Sequence, residues 1–459
     1  MKPIFIVLLL LYSPAVAQTK TGPYVLGRAD NAFLDSLQRD TFRYFWETAN
    51  LANGLIPDRA PTPSFSSIAA VGFGLTSYLV GVERGYITRE QAADRTLTTL
   101  RFFNQAPQSD AKTGVAGYKG FFYHFLDMKT GHRFKQVELS TIDTALLLAG
   151  VLSVQTYFDR ADATETQIRQ LADQIYRRVD WTFFQTRRPF ISMGWHPEKG
   201  PIAADWKGYN EAMLLYILAL GSPTHPVGAD VWTAWTKTYP FANFYGQQHV
   251  NFDPLFGHQY SHCWIDFRGI QDVYMRGKGL DYAENSRRAT YANRAYCLAN
   301  PAKWQDYSTT IWGLTACDGP KDTTVNGRQF FSYRARGAAS TQIVDDGTLA
   351  PTAAGGSLAF APDICLPALR AMKVRYGSKL YSNYGFRDAF NPTYRHSSAY
   401  ANGSTATGWF DVDYLGIDQG PILLMAENLR TGFVWHLLQK NPYIHKGLTR
   451  AGFSGGWMK

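Results

Sequence analysis

The chain has 459 residues and a formal net charge of +9, from 46 Lys and Arg against 37 Asp and Glu. The basic residues are dispersed and no run of them resembles a nucleic-acid-binding patch, so the sequence argues against a nucleic-acid partner and the charge is interpreted as a contribution to solubility. Aromatic residues are frequent, with 12 Trp, 27 Tyr and 29 Phe, and a hydrophobic core can accommodate most of them.

The N-terminal residues have the pattern of a secretory signal peptide. Lys2 supplies a positive charge, residues 4–12 form a short apolar run, and residues 15–17 (AVA) form an A-x-A cleavage site. The run is shorter than the roughly 18 uncharged apolar residues of a membrane span, and no other stretch reaches that length. We therefore expect residues 1–17 to be removed and the mature chain to be periplasmic or secreted, without insertion into a membrane.

Helical periodicity dominates residues 18–459, and no Pro-, Ser- or Gly-rich linker divides them, so a single domain is predicted. Strongly apolar segments such as 140–158 alternate with amphipathic segments such as 164–184. This alternation is typical of helix hairpins around a ring, with buried inner and half-exposed outer helices. The sequence therefore predicts an all-α toroid. The predicted helices span residues 30–49, 66–82, 88–103, 140–158, 164–184, 209–220, 231–238, 282–298, 362–376 and 420–438.

Strand signals are local. Residues 117–134 have the pattern of a hairpin around a turn at 129–131, and residues 329–335 that of a short strand. Long connections rich in Gly, Trp, Tyr, Asp and His precede the apolar helices, which would place these connections over one mouth of the ring. Loops of this length in a compact domain usually carry function. They span residues 189–208, 239–279, 318–362 and 390–420.

The four cysteines, Cys263, Cys297, Cys317 and Cys365, stand in no CxxC or zinc-like spacing, so no thiolate metal site is expected. They allow three disulfide connectivities, among which the sequence does not choose. The motifs of a serine nucleophile elbow, a P-loop and a dinucleotide-binding loop are absent in the right context, and we expect no cofactor.

Glu211 opens the apolar helix predicted at 209–220, with Trp206 and Tyr209 just before it. An acid in the first turn of a helix is commonly stabilised by the helix macrodipole, which lowers its pKa. A general acid needs the opposite shift, and only a dry aromatic pocket would raise the pKa enough. The sequence leaves both interpretations open.

Three aspartates lie among aromatic residues in the loop 409–421. Asp418 is predicted to cap the following helix. Asp411 or Asp413 could orient a water molecule, although aspartates in such loops also form turns through their own hydrogen bonds to the backbone.

Glu138 and Asp143 flank another helix start, at which Ser140 or Thr141 is the candidate cap. Either acid could bind the hydroxyls of a ligand or simply serve the start of the helix.

Two further clusters suggest metal ligands only weakly. His258 and His262 are four residues apart, but no Glu follows the first His and no third ligand is evident, so hydrogen bonding to a polar ligand is the preferred interpretation. Asp345 and Asp346 lie in a loop where calcium is conceivable, but the spacing is not that of an EF-hand. We therefore predict no metal site.

The chain resembles the glycoamylase-like proteins, particularly glycoside hydrolase family 144, at seven segments that follow one another over nearly the whole mature chain. No single segment is specific, but the set is. The segments are STIDTALLLAG (140–150), GYNEAM (208–213), LALGSPTHP (218–226), FGHQYSHCW (256–264), ENSRRAT (284–290), WGLTACDGP (312–320) and LGIDQGP (415–421).

This resemblance implies an (α/α)6 barrel and endo-acting hydrolysis of β-1,2-glucan to sophorose and short sophorooligosaccharides. The name of the family does not imply activity on starch, and related members release sophorose by exo action, so endo or exo action stays open. By resemblance Glu211 is the general acid, and Asp411 or Asp413 is the base, acting directly or through a substrate hydroxyl. An inverting mechanism would place acid and base roughly 6.5–9.5 Å apart, and a retaining one about 5–5.5 Å.

Further residues of these loops are candidates for substrate binding by a monomer. Aromatic rings can stack on the apolar face of a pyranose, although each ring could equally belong to the core. The candidate platforms are Trp195, Trp206, Tyr209, Trp264 and Trp409. The candidate hydroxyl binders are Glu138, Asp143, His262 and Arg268.

Two rival interpretations remain. A polysaccharide lyase on the same toroid would use a Tyr or His base and cations for a uronate, which the net charge fits weakly. A periplasmic glycan-binding protein would keep the aromatic residues but would need no paired acids, so replacement of Glu211 by Gln would leave its function unchanged.

Overall fold

The computed structural model describes residues 24–396 and 405–459, and the predicted signal peptide lies outside them. Fifteen α-helices are found in these residues. They are α1 Arg28–Thr48, α2 Ile68–Glu83, α3 Arg89–Gln105, α4 Thr141–Tyr157, α5 Ala163–Arg177, α6 Ala212–Gly221, α7 Asp230–Thr236, α8 Tyr260–Trp264, α9 Val273–Lys278, α10 Tyr282–Ala299, α11 Pro351–Gly355, α12 Pro362–Tyr376, α13 Gly416–Arg430, α14 Phe433–Leu438 and α15 Pro442–Arg450.

Six of these helices form an inner ring, namely α2, α4, α6, α8, α11 and α13. α2 contacts α4 and α13, α6 contacts α4 and α8, and α11 contacts α13. α8 and α11, the remaining neighbours in the ring, are connected by a hydrogen bond. The side chain of Gln259, which directly precedes α8, donates its Nε2 to Ala353 O in α11 at 2.9 Å. Outer helices α1, α3, α5, α7, α10 and α12 alternate with them along the chain. The architecture is therefore the (α/α)6 barrel that the sequence indicated.

The sequence of each layer explains its position. Every residue of α6 (AMLLYILALG) is buried, because a helix that is apolar on all sides can only lie in a core. In α5 the buried residues recur on one side, as an outer helix requires. Ser67, Thr88 and Ser140 cap α2, α3 and α4 through their side chains, and Ser140 is one of the two caps that the sequence offered for α4.

An outer helix returns the chain between successive inner helices, so all six inner helices begin at the same end of the barrel. The loops that precede them cover this end and contain most of the strands. The strands are β1 Arg59–Ala60, β2 Ser66–Ser67, β3 Gly117–Tyr118, β4 Phe121–Phe122, β5 Phe125–Leu126, β6 Leu139–Ser140, β7 Gly194–His196, β8 Gly200–Pro201, β9 Phe241–Phe244, β10 Gln247–Val250, β11 Ala316–Cys317, β12 Thr323–Val325, β13 Arg328–Phe330, β14 Arg334–Ala335, β15 Gly337–Ala338, β16 Ile343–Val344, β17 Tyr381–Ser382, β18 Gly385–Phe386, β19 Phe390–Asn391, β20 Trp409–Phe410 and β21 Tyr414–Leu415.

All strand pairs are antiparallel, and β6, β7 and β8 form a three-stranded sheet. The predicted hairpin at 117–134 exists but turns earlier than expected. β3 pairs with β4 around Lys119 and Gly120, which adopt φ of 55° and 86°, while Leu126 and Arg133 form a single bridge around the predicted turn. Two consecutive residues with positive φ give the twist that a two-residue hairpin favours.

Several helical boundaries differ from the predictions. The segment predicted as one helix at 420–438 is divided into α13 and α14, because Gly432 has φ of +67°. α13 begins at Gly416, so Asp418 lies in its first turn and the predicted capping role of Asp418 is wrong. The inner helices α8 and α11 have five residues each, too few to show a helical period in the sequence.

The four cysteines are buried free thiols, so none of the three possible disulfide pairings is formed in this structure. Within the described ranges, no helix combines the length and the apolar character needed to cross a bilayer.

Candidate active site

A cavity of about 630 Å³ lies at the end of the barrel where the inner helices begin. Its walls come from three loops, residues 59–62, 318–333 and 409–413. The pairing of β1 with β21 holds the first and third of these loops together, with Arg59 opposite Leu415. α13 begins directly after β21, and its first N–H, from Gly416, donates to Asp58 O at 2.9 Å.

Glu211 is the last residue before α6 and is 9% exposed. Its Oε2 is buried and has no hydrogen-bond partner among the described residues. Burial and, to a smaller extent, the charge of Asp143 raise the pKa of Glu211 to about 7, against the opposing effect of its own backbone N–H. Burial thus produces the direction of pKa shift that a general acid requires.

The backbone of Glu211 is fixed by the neighbouring inner helix. Ser261 in α8 donates its hydroxyl to Glu211 O at 3.1 Å and accepts the N–H of Leu214 at 3.0 Å. The side chain of Asn210 accepts the N–H of Ala212 at 3.1 Å, which completes the turn into α6. Because its backbone is held on both sides, the Glu211 side chain has a defined place although its Oε2 has no hydrogen-bond partner among the described residues.

A second acidic group surrounds His124, which the sequence did not reveal as a site residue. Its Nδ1 lies 2.8 Å from Glu138 Oε1 and its Nε2 lies 3.4 Å from Asp143 Oδ1. The Ser140 hydroxyl donates to the other Asp143 oxygen at 2.5 Å. Although burial opposes it, the charges of Asp143 and Glu138 raise the pKa of His124 to about 9. His124 is therefore an imidazolium held between two carboxylates at neutral pH.

A third group of acids lies at the cavity wall. Asp318, Asp388 and Asp411 each contribute one carboxylate oxygen to a cluster in which the three oxygens lie within 4.8 Å of one another. Asp388 accepts the N–H of Asp318 at 2.7 Å, but Asp388 Oδ1 and Asp411 Oδ2 are buried without a partner in the described ranges. Burial and the charges of the neighbouring acids raise the pKa of Asp388 and of Asp411 well above the ordinary range. Ionisation of Asp388 and Asp411 is therefore disfavoured relative to that of an isolated aspartate.

Arg59 and Asp58 connect the acidic groups. Arg59 pairs with Asp58 at 3.2 Å and also with Asp318. The charge of Asp58 also contributes to the raised pKa of His124. Because Arg59 links Asp58 to Asp318 and Asp58 acts on His124, the second and third groups of acids belong to one end of the barrel.

The described residues offer two sets of possible metal ligands, and neither is a convincing metal site. Both ring nitrogens of His124 already lie close to a carboxylate, so no ring lone pair is directed to an ion. Asp318, Asp388 and Asp411 could accept a cation through oxygen atoms, but Arg59 already pairs with Asp318 and the raised pKa of Asp388 disfavours its ionised form.

Two predicted catalytic residues, Asp411 and Asp413, lie at this wall and are each 4% exposed. Asp411 Oδ1 accepts the N–H of Asp413 at 3.0 Å, the turn-forming bond that the sequence allowed. Asp413 Oδ1 accepts the N–H of Thr62 at 2.9 Å. Trp409, a predicted platform, lines the same cavity and its Nε1 has no partner among the described residues.

The predicted platforms Trp195 and Trp206 lie near the second acidic group. Trp195 in β7 pairs with Leu139, next to Glu138, and its half-buried ring lies 5.4 Å from that of Tyr118. Trp206 is 7% exposed and donates its Nε1 to Thr141 at 2.9 Å. The visible role of Trp206 is thus to tie the loop before α6 to the start of α4, and its role in binding stays a prediction.

Three of the predicted binders are core residues, and their assignment is wrong. Trp264 is fully buried and donates its Nε1 to Thr76. Tyr209 is 1% exposed and its ring packs against those of His258 and Tyr282. His262 is 1% exposed, lies 3.1 Å from the Ser286 hydroxyl, and has its pKa lowered to about 3 by burial. Rings and imidazoles without exposed surface cannot stack on or bind a sugar.

Arg268 is also misplaced by the prediction. It follows the C-terminal end of α8, so it lies at the opposite end of the barrel from Glu211. There it pairs with Asp266 at 2.8 Å and packs over the Trp435 ring. Residues 258–268 are rich in polar and aromatic side chains because this segment runs through the core of the barrel from one end to the other.

The paired aspartates at 345–346 have protein partners instead of calcium. Asp346 forms a fully buried ion pair with Arg336 at 2.7 Å. Asp345 accepts the hydroxyls of Tyr296 and Tyr307 at 3.0 and 2.7 Å. His258 and His262 likewise hydrogen-bond to protein atoms, the first to Phe252 O at 3.3 Å.

Comparison with known proteins places this arrangement in a family. The model of the glycoamylase family, described as "putative glucoamylase", matches residues 203–442, slightly more than half of the chain. This chain belongs to the glycoamylase family. The matched part of this glycoamylase-like protein contains Glu211 and all three members of the group Asp318, Asp388 and Asp411.

Solved and curated relatives extend the likeness over nearly the whole chain. A "putative glucoamylase" from Bacteroides uniformis is 33% identical, with a TM-score of 0.81 over 95% of this chain and 100% of that one. An endo-β-1,2-glucanase from Chitinophaga pinensis, solved with sophorotriose and glucose, is 28% identical, with a TM-score of 0.78 over 93% of this chain and 99% of that one.

A curated relative from Parabacteroides distasonis is an exo-β-1,2-glucooligosaccharide sophorohydrolase acting at the non-reducing end. It is 28% identical in an alignment 455 positions long that covers 92% of this chain. The glycoamylase-like protein spans 58% of the length of that relative.

Proposed function

We propose that this protein is a glycoside hydrolase that cleaves β-1,2-glucan. The observation that carries the proposal is Glu211, a buried carboxylic acid with an unpartnered oxygen at the same end of the barrel as a second set of carboxylates. Acid–base glycoside hydrolysis requires a carboxylic acid whose pKa is raised towards 7 and a second carboxylate that acts as the base. Two of the relatives, the endo-β-1,2-glucanase from Chitinophaga pinensis and the exo-β-1,2-glucooligosaccharide sophorohydrolase from Parabacteroides distasonis, support this substrate.

We propose endo action, with exo release of sophorose as the alternative. The endo-β-1,2-glucanase from Chitinophaga pinensis, which is similar to this chain with a TM-score of 0.78, supports endo action, and the exo-acting relative from Parabacteroides distasonis supports the alternative. We further propose export to the periplasm or medium, from the signal-peptide pattern of residues 1–17, which detection of the protein in those fractions would support.

In the proposed reaction Glu211 donates its proton to the glycosidic oxygen as the bond to the anomeric carbon breaks. A carboxylate base removes a proton from the attacking water, directly or through a substrate hydroxyl, so that the anomeric centre is inverted. We assign the base to Asp413, which lines the cavity and whose Oδ1 accepts the Thr62 N–H at 2.9 Å. Asp411 is less suited, because burial and the charges of Asp388 and Asp318 raise its pKa and so disfavour the ionised form that a base needs.

The decisive experiment is a chromatographic product assay on linear β-1,2-glucan, with β-1,3-glucan, cellulose and starch as parallel substrates. A ladder of short sophorooligosaccharides from β-1,2-glucan alone is expected. Sophorose alone from the earliest time would favour exo action. Unsaturated sugars that absorb in the ultraviolet would indicate a lyase, and binding without any product would favour a glycan-binding protein.

The pH dependence of the reaction tests the acid. Glu211 is active when protonated, so activity is expected to be full below the pKa of about 7 and to fall as the pH rises through it. The measurement is kcat/KM on β-1,2-glucan between pH 5 and 10, values that bracket the raised pKa. An alkaline limb near the ordinary pKa of lysine or tyrosine, far above 7, would contradict the assignment of Glu211.

Paired substitutions test the base. Asp413→Asn is expected to lower kcat by roughly 10²–10⁴-fold, the usual contribution of a general base. Asp411→Asn should retain far more activity, because the raised pKa of Asp411 favours the protonated carboxyl, whose shape an amide reproduces. The measurement is kcat of both variants. Their thermal unfolding midpoints should equal that of the wild type, so that a loss of activity is not a loss of folding. If Asp411→Asn is the more damaging of the two, Asp411 is the base and the present assignment is reversed.

A further inference from the structure

Tyr333 is 60% exposed although it forms part of the cavity wall. The exposed tyrosines of the described ranges are Tyr24, Tyr245 and Tyr333, and of these three only Tyr333 lines the cavity. Its ring packs against no other aromatic ring or cation, and its hydroxyl forms no hydrogen bond, within the part of the chain that the structure describes. A large ring left in water forgoes the hydrophobic stabilisation that burial would give, so the described contacts show no folding role for this side chain.

The backbone on both sides of Tyr333 is nevertheless held firmly. Arg336 is fully buried and donates to Phe331 O at 3.0 Å and to Ser332 O at 3.2 Å. Asp346, its ion-pair partner, accepts the N–H of Phe331 at 3.0 Å. An exposed ring on a backbone fixed by a buried ion pair is a preorganised contact surface instead of a flexible loop tip.

Gly319, in another part of the cavity wall, packs closely against the backbone of the segment that carries Tyr333. A Cβ added at Gly319 would lie 2.2 Å from Arg336 Nη2 and 2.3 Å from Phe331 O. Gly319 directly follows Asp318, so the position of Tyr333 relative to that carboxylate is fixed by close backbone packing.

The chemistry of this position fits a sugar ring. A tyrosine offers an apolar face for the C–H face of a pyranose and a hydroxyl for its polar edge. We infer that Tyr333 is the aromatic platform of a glucosyl-binding subsite in the cavity, held in place by Arg336 and Gly319. This inference rests on the proposed function, because it names a further contact of the same β-1,2-glucan chain.

The test compares Tyr333→Ala and Tyr333→Phe for binding and for hydrolysis. Binding of β-1,2-glucan is measured by calorimetry in a Glu211→Gln background, in which the chain is not cleaved. Tyr333→Ala is expected to raise Kd roughly threefold to tenfold, as loss of one aromatic stacking contact does, and to lower kcat/KM of the otherwise wild-type enzyme by a similar factor. Tyr333→Phe keeps the ring and should stay within about twofold of its parent.

Tyr245→Ala is the matched control, since Tyr245 is 40% exposed on the β9–β10 hairpin and does not line the cavity. It should leave both Kd and kcat/KM unchanged. An unchanged Kd for Tyr333→Ala, or equal losses for the Ala and Phe variants, would overturn the platform. If the Glu211→Gln parent does not bind β-1,2-glucan and the wild type does not cleave it, the proposed function fails instead, which separates the two outcomes.

Discussion

Replacing Glu211 by Gln is expected to lower kcat on β-1,2-glucan by about 10²–10⁴-fold, the contribution of a positioned general acid. The amide has the shape of the protonated carboxyl but cannot deliver a proton to the glycosidic oxygen. Because the unpartnered Oε2 of Glu211 makes no bond within the described protein, the substitution breaks no hydrogen bond of this oxygen. The measurement is single-substrate kinetics at a pH below the pKa of about 7, where wild-type Glu211 is protonated.

The stability of the same variant provides a control. The pKa of Glu211 is about 7 in the folded protein and ordinary in the unfolded chain. Between these values the folded state holds a proton that the unfolded state has lost, so the free energy of unfolding of the wild type falls as the pH rises towards 7. A glutamine does not ionise, so the free energy of unfolding of Glu211→Gln does not fall in this way. The variant should be at least as stable as the wild type at pH 8, which lies above the pKa of Glu211 in both the folded and the unfolded state.

Glu90→Gln is the matched substitution elsewhere in the fold. Glu90 also lies in the first turn of a helix, α3, but is exposed. It should leave kcat unchanged, which separates the loss of an acid in a dry pocket from the loss of a helix-start charge. Full activity of Glu211→Gln, or equal effects of the two variants, would remove Glu211 from the mechanism.

The extent to which the fold could be predicted depended on the length of each helix. α12 was predicted with its observed bounds, Pro362–Tyr376, because proline is favoured in the first turn and Gly377 ends the periodic pattern. α8 and α11 were missed because five residues cannot display a period. Their place in the inner ring is decided by tertiary contacts such as that of Gln259 with Ala353.

The candidate site was predictable only where one local segment carries the signal. Glu211, Asp411 and Asp413 stand in short motifs, and the structure places all three at the same end of the barrel. The groups around His124 and Asp388 were not found, because their partners are brought close only by the fold, as when Asp388 accepts the N–H of Asp318. The wrong assignments of Trp264 and His262 have the converse cause, since polar and aromatic density does not reveal burial.

Removing the Arg336 side chain is expected to produce the largest loss of stability. Arg336 and Asp346 are both fully buried, with Nε to Oδ1 at 2.7 Å and Nη2 to Oδ2 at 2.8 Å. The guanidinium also donates to four backbone carbonyls, those of Cys317, Asp318, Phe331 and Ser332. Arg336→Met leaves a buried carboxylate without its counter-charge and these carbonyls without a donor, which costs about 3–5 kcal/mol.

The comparison is with Arg268→Met, which breaks the pair with Asp266 where the arginine side chain is 54% exposed. A pair of this kind contributes about 0–1 kcal/mol, so the two losses in the free energy of urea unfolding should differ severalfold. A double variant, Arg336→Met with Asp346→Leu, recovers the cost of the unpaired charge but not that of the carbonyls, and should lie between Arg336→Met and the wild type. If Arg336→Met is no less stable than Arg268→Met, the buried ion pair does not stabilise the cavity wall. The inference that this pair holds the backbone around Tyr333 would then be wrong.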